Sequence, residues 1–175
     1  ALKLDGNKPV VVYMSSWGQI TNAHDDPTLF ERTLQHVMAA GFEQLVIKLH
    51  PGEAPNIEQN YLKMANEFGC RAMVTRLYLE PILSCANVVI ALGPSNVIVD
   101  AAVMGVPSVV VKLPGYSIQH DVIPECEPET VKQETENVLT GRAEWEGRRE
   151  DFLYQMRYSD QATKNVAQWI NELCL

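Results

Sequence analysis

Two kinds of apolar pattern alternate along this chain. Continuous, β-branched runs at Pro9 to Met14 (PVVVYM), Gln44 to Leu49, Arg71 to Thr75, Asn87 to Leu92 and Ser108 to Leu113 predict five buried strands. Between them apolar positions recur three and four residues apart. Asp26-Pro27 supplies a helix cap and a first-turn proline, after which Leu29, Phe30, Leu34, Val37 and Met38 form a helical stripe that Gly41 ends. Asn56 can cap a second helix whose stripe includes Ile57, Tyr61, Leu62, Met64, Ala65 and Phe68, stopped by Gly69. A short helix from about Glu80 to Ala86 precedes the fourth strand, and Gly93, Pro94, Ser95 and Asn96 turn into a helix that runs to Met104, where Gly105 and Pro107 break it. After the fifth strand the pattern predicts a loop rich in Gly, Pro and acids (Pro114 to Pro128), an acidic helix from about Glu129 to Leu139, and an exposed polar stretch through Arg149. Two helical segments follow, the last with Ala162, Val166, Ala167, Trp169, Ile170 and Leu173 on one stripe.

Strands that alternate with helices in this way are parallel strands joined by helical crossovers, so the expected fold is α/β, a doubly wound, Rossmann-like parallel sheet. With 175 residues and 46% hydrophobic content, a single domain can bury a core of useful size. A formal net charge of −8 and no basic run set an unfavourable field against DNA or RNA, so no nucleic-acid partner is expected. Cys70, Cys85, Cys126 and Cys174 are widely spaced with no C-x-x-C pair, which favours reduced thiols and a cytoplasmic location. No apolar run approaches membrane-spanning length, and the opening ALKLDGNKP has neither an initiating Met nor a signal-peptide core; it is expected to have been cut from something longer.

In a parallel sheet all carboxyl strand ends reach one rim, where ligands bind in open α/β folds. Four loops therefore converge: Ser15 to Gln19, His50 to Glu53, Gly93 to Asn96 and Pro114 to Asp121. In the fourth-strand turn Gly93 permits close backbone approach, while Ser95 and Asn96 stand over free helix N–H groups, an anion seat or a plain helix cap. Lys48 and His50, two residues apart on one face of the second strand, flank that rim together with Pro51 and Gly52; alternatively Lys48 snorkels and His50 bonds locally within the turn. Asp100, about one turn into the helix after Ser95, suits a vicinal diol, or is a solvated acid favoured by the helix dipole. There is no G-x-G-x-x-G after the first strand and no G-x-x-x-x-G-K-S/T, which disfavours dinucleotide and Walker-type binding, and no His/Cys cluster has metal-ligand spacing, so neither cofactor nor metal is expected.

KLHP at the second strand end and YLEPILSCANVVIALGPSNVIVDAAVMGVPSVVV (Tyr78 to Val111) resemble the C-terminal, donor-binding half of glycosyltransferases of the two-Rossmann-domain GT-B architecture. The group most similar is that of bacterial capsule and teichoic-acid enzymes, with polysialyltransferase-like members and CDP-glycerol glycerophosphotransferases; FLYQMRYSDQATKNVAQWI is similar to that group's closing segment. The resemblance implies that His50 contacts the donor phosphate as the candidate catalytic group. Ser16, Lys48, Pro51, Gly93, Ser95 and Asn96 then belong to the phosphate site, and Tyr78, Leu79 and Asp100 to the base and ribose. The chain departs from the group's pattern in Asp100, where Glu is commoner, and in Pro94, where Gly or Ser often stands. It also lacks the D-S-G-G run of the UDP-sugar 2-epimerases.

What this implies is a single Rossmann-like nucleotide-sugar-binding domain over residues 1–175, its C-terminal helices from about 148 packing back on it or leading to a missing partner domain. The partners implied are a nucleotide-activated sugar or polyol of UDP, CMP or CDP type and an N-terminal acceptor-binding domain or partner chain, through which the assembly sits peripherally at a membrane. The isolated chain is expected to bind nucleotide weakly and to catalyse little, because the general base in this architecture usually belongs to the other domain. Two alternatives stand beside it: half of a 2-epimerase-like isomerase, for which Glu53, Asp121 and Glu125 are available carboxylates, and a non-catalytic nucleotide-binding or docking domain.

Overall fold

The computed structural model describes residues 3–15, 29–93, 95–112 and 123–155. Six strands form one wholly parallel sheet: β1 (Val11–Met14), β2 (Leu45–Lys48), β3 (Ala72–Thr75), β4 (Val88–Leu92), β5 (Ser108–Val111) and β6 (Glu125–Cys126), in the order β3-β2-β1-β4-β5-β6. β1 lies at the centre, with Met14 level with Lys48 of β2 on one side and with Ala91 of β4 on the other. The doubly wound Rossmann-like fold read from the alternation is the fold observed.

Both faces of the central strands are buried, which is why their sequences run apolar without alternation. On one face Val11, Tyr13, Leu45, Ile47, Val88 and Ile90 pack against α1 (Leu29–Ala39), α2 (Ile57–Glu67) and α5 (Val131–Thr140), through Leu34 and Met38, Tyr61 and Ala65, and Val131 respectively. On the other face Val12, Val46 and Val89 meet Ile82 and Leu83 of α3 (Leu79–Leu83) and Ala101 of α4 (Asn96–Val103). The chain thus winds outward from β1 in both directions, and right-handed crossovers then put α1 and α2 on one face and α3 and α4 on the other.

Two stretches differ from expectation. Within the stretch expected to be a loop between Pro114 and Pro128, Glu125–Cys126 forms β6, paired with Val110 and Val111, and a 3₁₀ turn (Pro128–Thr130) leads into α5. The stretch expected to be exposed and polar through Arg149 is helical: α6 spans Arg142–Gln155 and runs into the start of the helical segments expected after it. Its surface is mostly polar, but Trp145 and Phe152 are buried against Ile98, Ala102 and Val110. Arg149 binds α6 to α4, donating to the carbonyl oxygens of Ala102 and, at 2.8 Å, Val103. A cation there satisfies last-turn carbonyls at the negative end of the helix dipole. The expected closing stripe from Ala162 to Leu173 lies outside the described residues.

Candidate functional site

The order 3-2-1-4-5-6 reverses direction at β1, so the switch point, where ligands bind in open α/β sheets, lies at the carboxyl ends of β1 and β4. β2 and β4 both flank β1, so their ends stand about 10 Å apart, two strand spacings. That arrangement brings the His50 turn and the Gly93 turn to one margin of the sheet. Ser16 and the loop from Pro114 to Asp121 lie outside the described residues, as does Pro94.

At the β4 end, Gly93 is buried with φ of +65° and donates its N–H to the Val111 carbonyl at 2.8 Å. A side chain at that positive φ would be strained, so glycine is what lets the strand turn sharply into α4. Ser95 is the N-cap of α4 in extended geometry, its Oγ accepting from the Val97 N–H at 3.4 Å. The capping role is therefore real, and it is a long bond. Asn96 is exposed at the first turn. Asp100 is exposed one turn on; partial burial, and then the charge of Glu80 from α3, raise its carboxyl above the ordinary value. Glu80 follows Tyr78 and Leu79 directly, so Asp100 lies on the same side as the segment after β3. Leu79 packs into the core beside Ile82, while the Tyr78 ring is 85% exposed and open to stacking.

At the β2 end Lys48 is half-buried and donates through Nζ to the carbonyl of Leu49 at 2.6 Å. Burial, then the neighbouring charge of Arg76, lower its proton affinity, against a smaller opposing effect of Glu53. His50 Nδ1 accepts the Gly52 N–H at 3.0 Å, so in the neutral ring the proton sits on Nε2. Pro51 and Gly52 are exposed on the turn. The local turn bond foreseen for His50 is present, whereas Lys48, rather than snorkelling to water, spends a donor on the adjacent Leu49 carbonyl at the end of β2.

Glu53, which the sequence offered only as an available carboxylate for the isomerase alternative, is bound into the His50 turn. Its carboxylate receives the Ser15 hydroxyl on Oε2, the Tyr61 hydroxyl on Oε1 and the His50 N–H at 2.9 Å on Oε2; the same N–H also reaches Ser15 Oγ at 2.8 Å. Burial, and then the Glu53 carboxylate, push the phenols of Tyr13 and Tyr61 above the ordinary tyrosine range. Arg76 latches the segment after β3 to this turn, donating to the Ala54 carbonyl at 2.7 Å and to that of Glu53 at 3.4 Å.

Two hollows among the described residues lie at the opposite, amino edge of the sheet. One of about 260 Å³ is bounded by Lys8, Glu43, Gln44 and Arg71, the other, about 300 Å³, by Pro9, Asn87, Pro107 and Leu139. In the first, Gln44 spends its amide on the backbone of Asp5 and Lys8, which makes it a structural latch. Ligand chemistry belongs at the carboxyl edge, where helix N-termini and turn amides face outward. No group of three or more potential metal ligands occurs among the described residues, and no helix among them is long and apolar enough to cross a membrane.

No family model and no curated protein matches this chain. Among solved structures it is similar to the wall teichoic acid polymerase TagF, with 14% identity and a TM-score of 0.60 over 98% of this chain and 44% of that one. An H444N variant of TagF gives 14% identity and a TM-score of 0.57 over 98% and 45%. MurG from Acinetobacter baumannii gives 15% identity and a TM-score of 0.55 over 98% and 55%. At such identities the likeness is one of fold, and the chain spans 44% to 55% of the length of these proteins.

Proposed function

We propose that this chain is the donor-binding domain of a glycosyltransferase-like enzyme that moves a sugar or polyol phosphate from a nucleotide-activated donor, in the synthesis of a surface polysaccharide. The observation that carries this reading is the meeting of the His50 turn and the Gly93–Ser95 turn beside the β1 switch point. The fold-level likeness to a wall teichoic acid polymerase and to MurG supports the same class.

The difficult event in such a transfer is departure of a nucleotide phosphate as negative charge gathers on the leaving oxygen, so the useful groups are donors and cations fixed before the reaction. His50, through Nε2–H, and the α4 N-terminus with Ser95 and Asn96 face the phosphates from two sides. Lys48, half-buried and crowded by Arg76, gains when an anion approaches. Asp100 accepts from the ribose hydroxyls, and Tyr78 with Leu79 borders the base. The second domain or partner chain supplies the acceptor and its general base, and the assembly works in the cytoplasm, at the membrane periphery.

The isomerase reading needs a free acid and base in the cleft. Glu53, its best-placed candidate, is engaged by hydroxyl and amide donors, which favours transfer over epimerisation. Isothermal titration of the folded domain with UDP, CMP and CDP tests the proposal, with weak binding of at least one expected. No heat with any of them makes the chain a docking module, and epimerised product from a UDP-sugar makes it an isomerase.

A further inference from the structure

Three separate parts of the chain converge on one carboxylate at the β2 end: Ser15 from the end of β1, Tyr61 from the middle of α2, and the main chain of His50. A glutamate that had only to be solvated on a turn needs none of these. Two of the donors are hydroxyls, Ser15 on Oε2 and Tyr61 on Oε1, so both carboxylate oxygens are committed as acceptors. The Ser15 hydroxyl donates to the carboxylate and accepts from the His50 N–H at 2.8 Å, closing a small ring of bonds around that peptide.

The turn is then fixed from further sides. The Glu53 N–H returns to the His50 carbonyl at 3.1 Å, and the Gly52 N–H is aimed at His50 Nδ1 at 3.0 Å. Arg76 holds the carbonyls of Glu53 and Ala54, while the Leu77 N–H bonds to Thr75 Oγ1 at 3.1 Å, setting the path toward Tyr78. This scaffold fixes the backbone N–H and the Nδ1 of His50, and with them the direction of the imidazole.

We propose that Glu53 is a positioning residue for His50: its carboxylate clamps the β1 end, α2 and the H-P-G turn into one unit, and thereby sets both the direction and the Nε2–H tautomer of the imidazole. This rests on the reading of His50 as the phosphate-facing donor. Glu53 itself touches no substrate and transfers no proton. Glutamine at this position keeps the shape but presents an NH2 where an acceptor is required, turning one of the converging donors against another donor.

The test uses the whole 175-residue chain. Nitrogen chemical shifts of the His50 ring report its tautomer, read beside titrations with UDP, CMP and CDP. In the wild type the neutral ring should be mainly Nε2–H. In Glu53→Gln it should become a mixture of tautomers, and nucleotide affinity should fall about tenfold. Glu53→Asp keeps the charge but is too short to span Ser15 and Tyr61, and should fail to restore either readout. Tyr61→Phe should shift the ring signals in the same direction to a smaller extent, and it carries the test if Glu53→Gln does not fold. Unchanged ring signals in a folded variant overturn the positioning role, whatever the nucleotides do. A wild type that binds no nucleotide overturns the donor-site reading instead, and leaves the ring measurement to decide on Glu53.

Discussion

Glu80 at the start of α3 and Asp100 in α4 stand close enough to repel: partial burial first, and the charge of Glu80 second, raise the Asp100 carboxyl above its ordinary value. Two neighbouring acids cost stability, a strain common where a site is kept ready for a ligand. An acid whose folded proton affinity exceeds its unfolded one binds more protons in the fold, so stability falls as pH rises through the window above 3.8 and stays lower beyond it. Asp100→Asn should therefore raise the melting temperature slightly at neutral pH, an advantage that closes as the pH drops below the ordinary carboxylate range. The same variant should weaken nucleotide binding by roughly tenfold to a hundredfold, the loss of charge-assisted bonds to a diol. A variant that loses stability at neutral pH would contradict the repulsion.

His50→Ala should reduce nucleotide affinity about tenfold and leave the thermal transition almost unmoved. The ring is half-exposed and its Nδ1 partner, the Gly52 N–H, is exposed and can turn to water. Titration and a melting curve on the same sample separate the two effects, and unchanged affinity would remove His50 from the site.

Gly93→Ala should destabilise by about 1–2 kcal/mol, because a Cβ at φ of +65° meets the neighbouring carbonyl. Urea unfolding should show the midpoint lowered without a change of slope. Equal stability would mean that the turn after β4 relaxes freely.

Phe152→Ala should cost about 3–5 kcal/mol, although its helix reads as polar. Phe152 is fully buried against α4 and β5 together with Trp145. A loss below about 1 kcal/mol would mean that α6 contributes little to the fold.

Cys126 should resist alkylation in the native protein and react once unfolded. Burial, chiefly, pushes its thiol up to about 12, with Glu134 and Glu127 adding to the effect, so at neutral pH almost no thiolate forms. Peptide mapping after brief iodoacetamide treatment, with and without urea, reads this directly. Equal labelling under both conditions would place Cys126 outside the sealed end of β6.

The five long strands were legible because four of them lie inside the sheet, buried on both faces, and the edge strand β3 is still mostly apolar; glycines at 41, 69 and 105 end helices where the stripes end. β6 was not, since two residues, one of them Glu125, carry no period; only the neighbouring β5 makes them a strand. α6 escaped because Trp145 and Phe152, seven residues apart, are its two fully enclosed side chains among Glu and Arg, too sparse for a stripe. Asn56 stands at the start of α2 as expected, but makes no side-chain cap bond there. At the site, the turn residues at 50, 93 and 95 could be read from strand ends and cap chemistry. Glu53 could be read only as one available carboxylate among many: its role as a clamp comes from Ser15 and Tyr61, which only folding brings to it.

The placement of β1 has a bearing on how the molecule is made. Its partner β4 lies far along the chain, the Val10 N–H meeting the Asn87 side chain at a separation of 77 residues. At about 5–20 residues per second, one edge of β1 waits several seconds on the ribosome after its own synthesis, an apolar ribbon with unpaired amides. During that interval β2 and the helices α1 and α2 are its available cover, so a chaperone that shields nascent strands should raise the yield of this domain more than any change to its finished core.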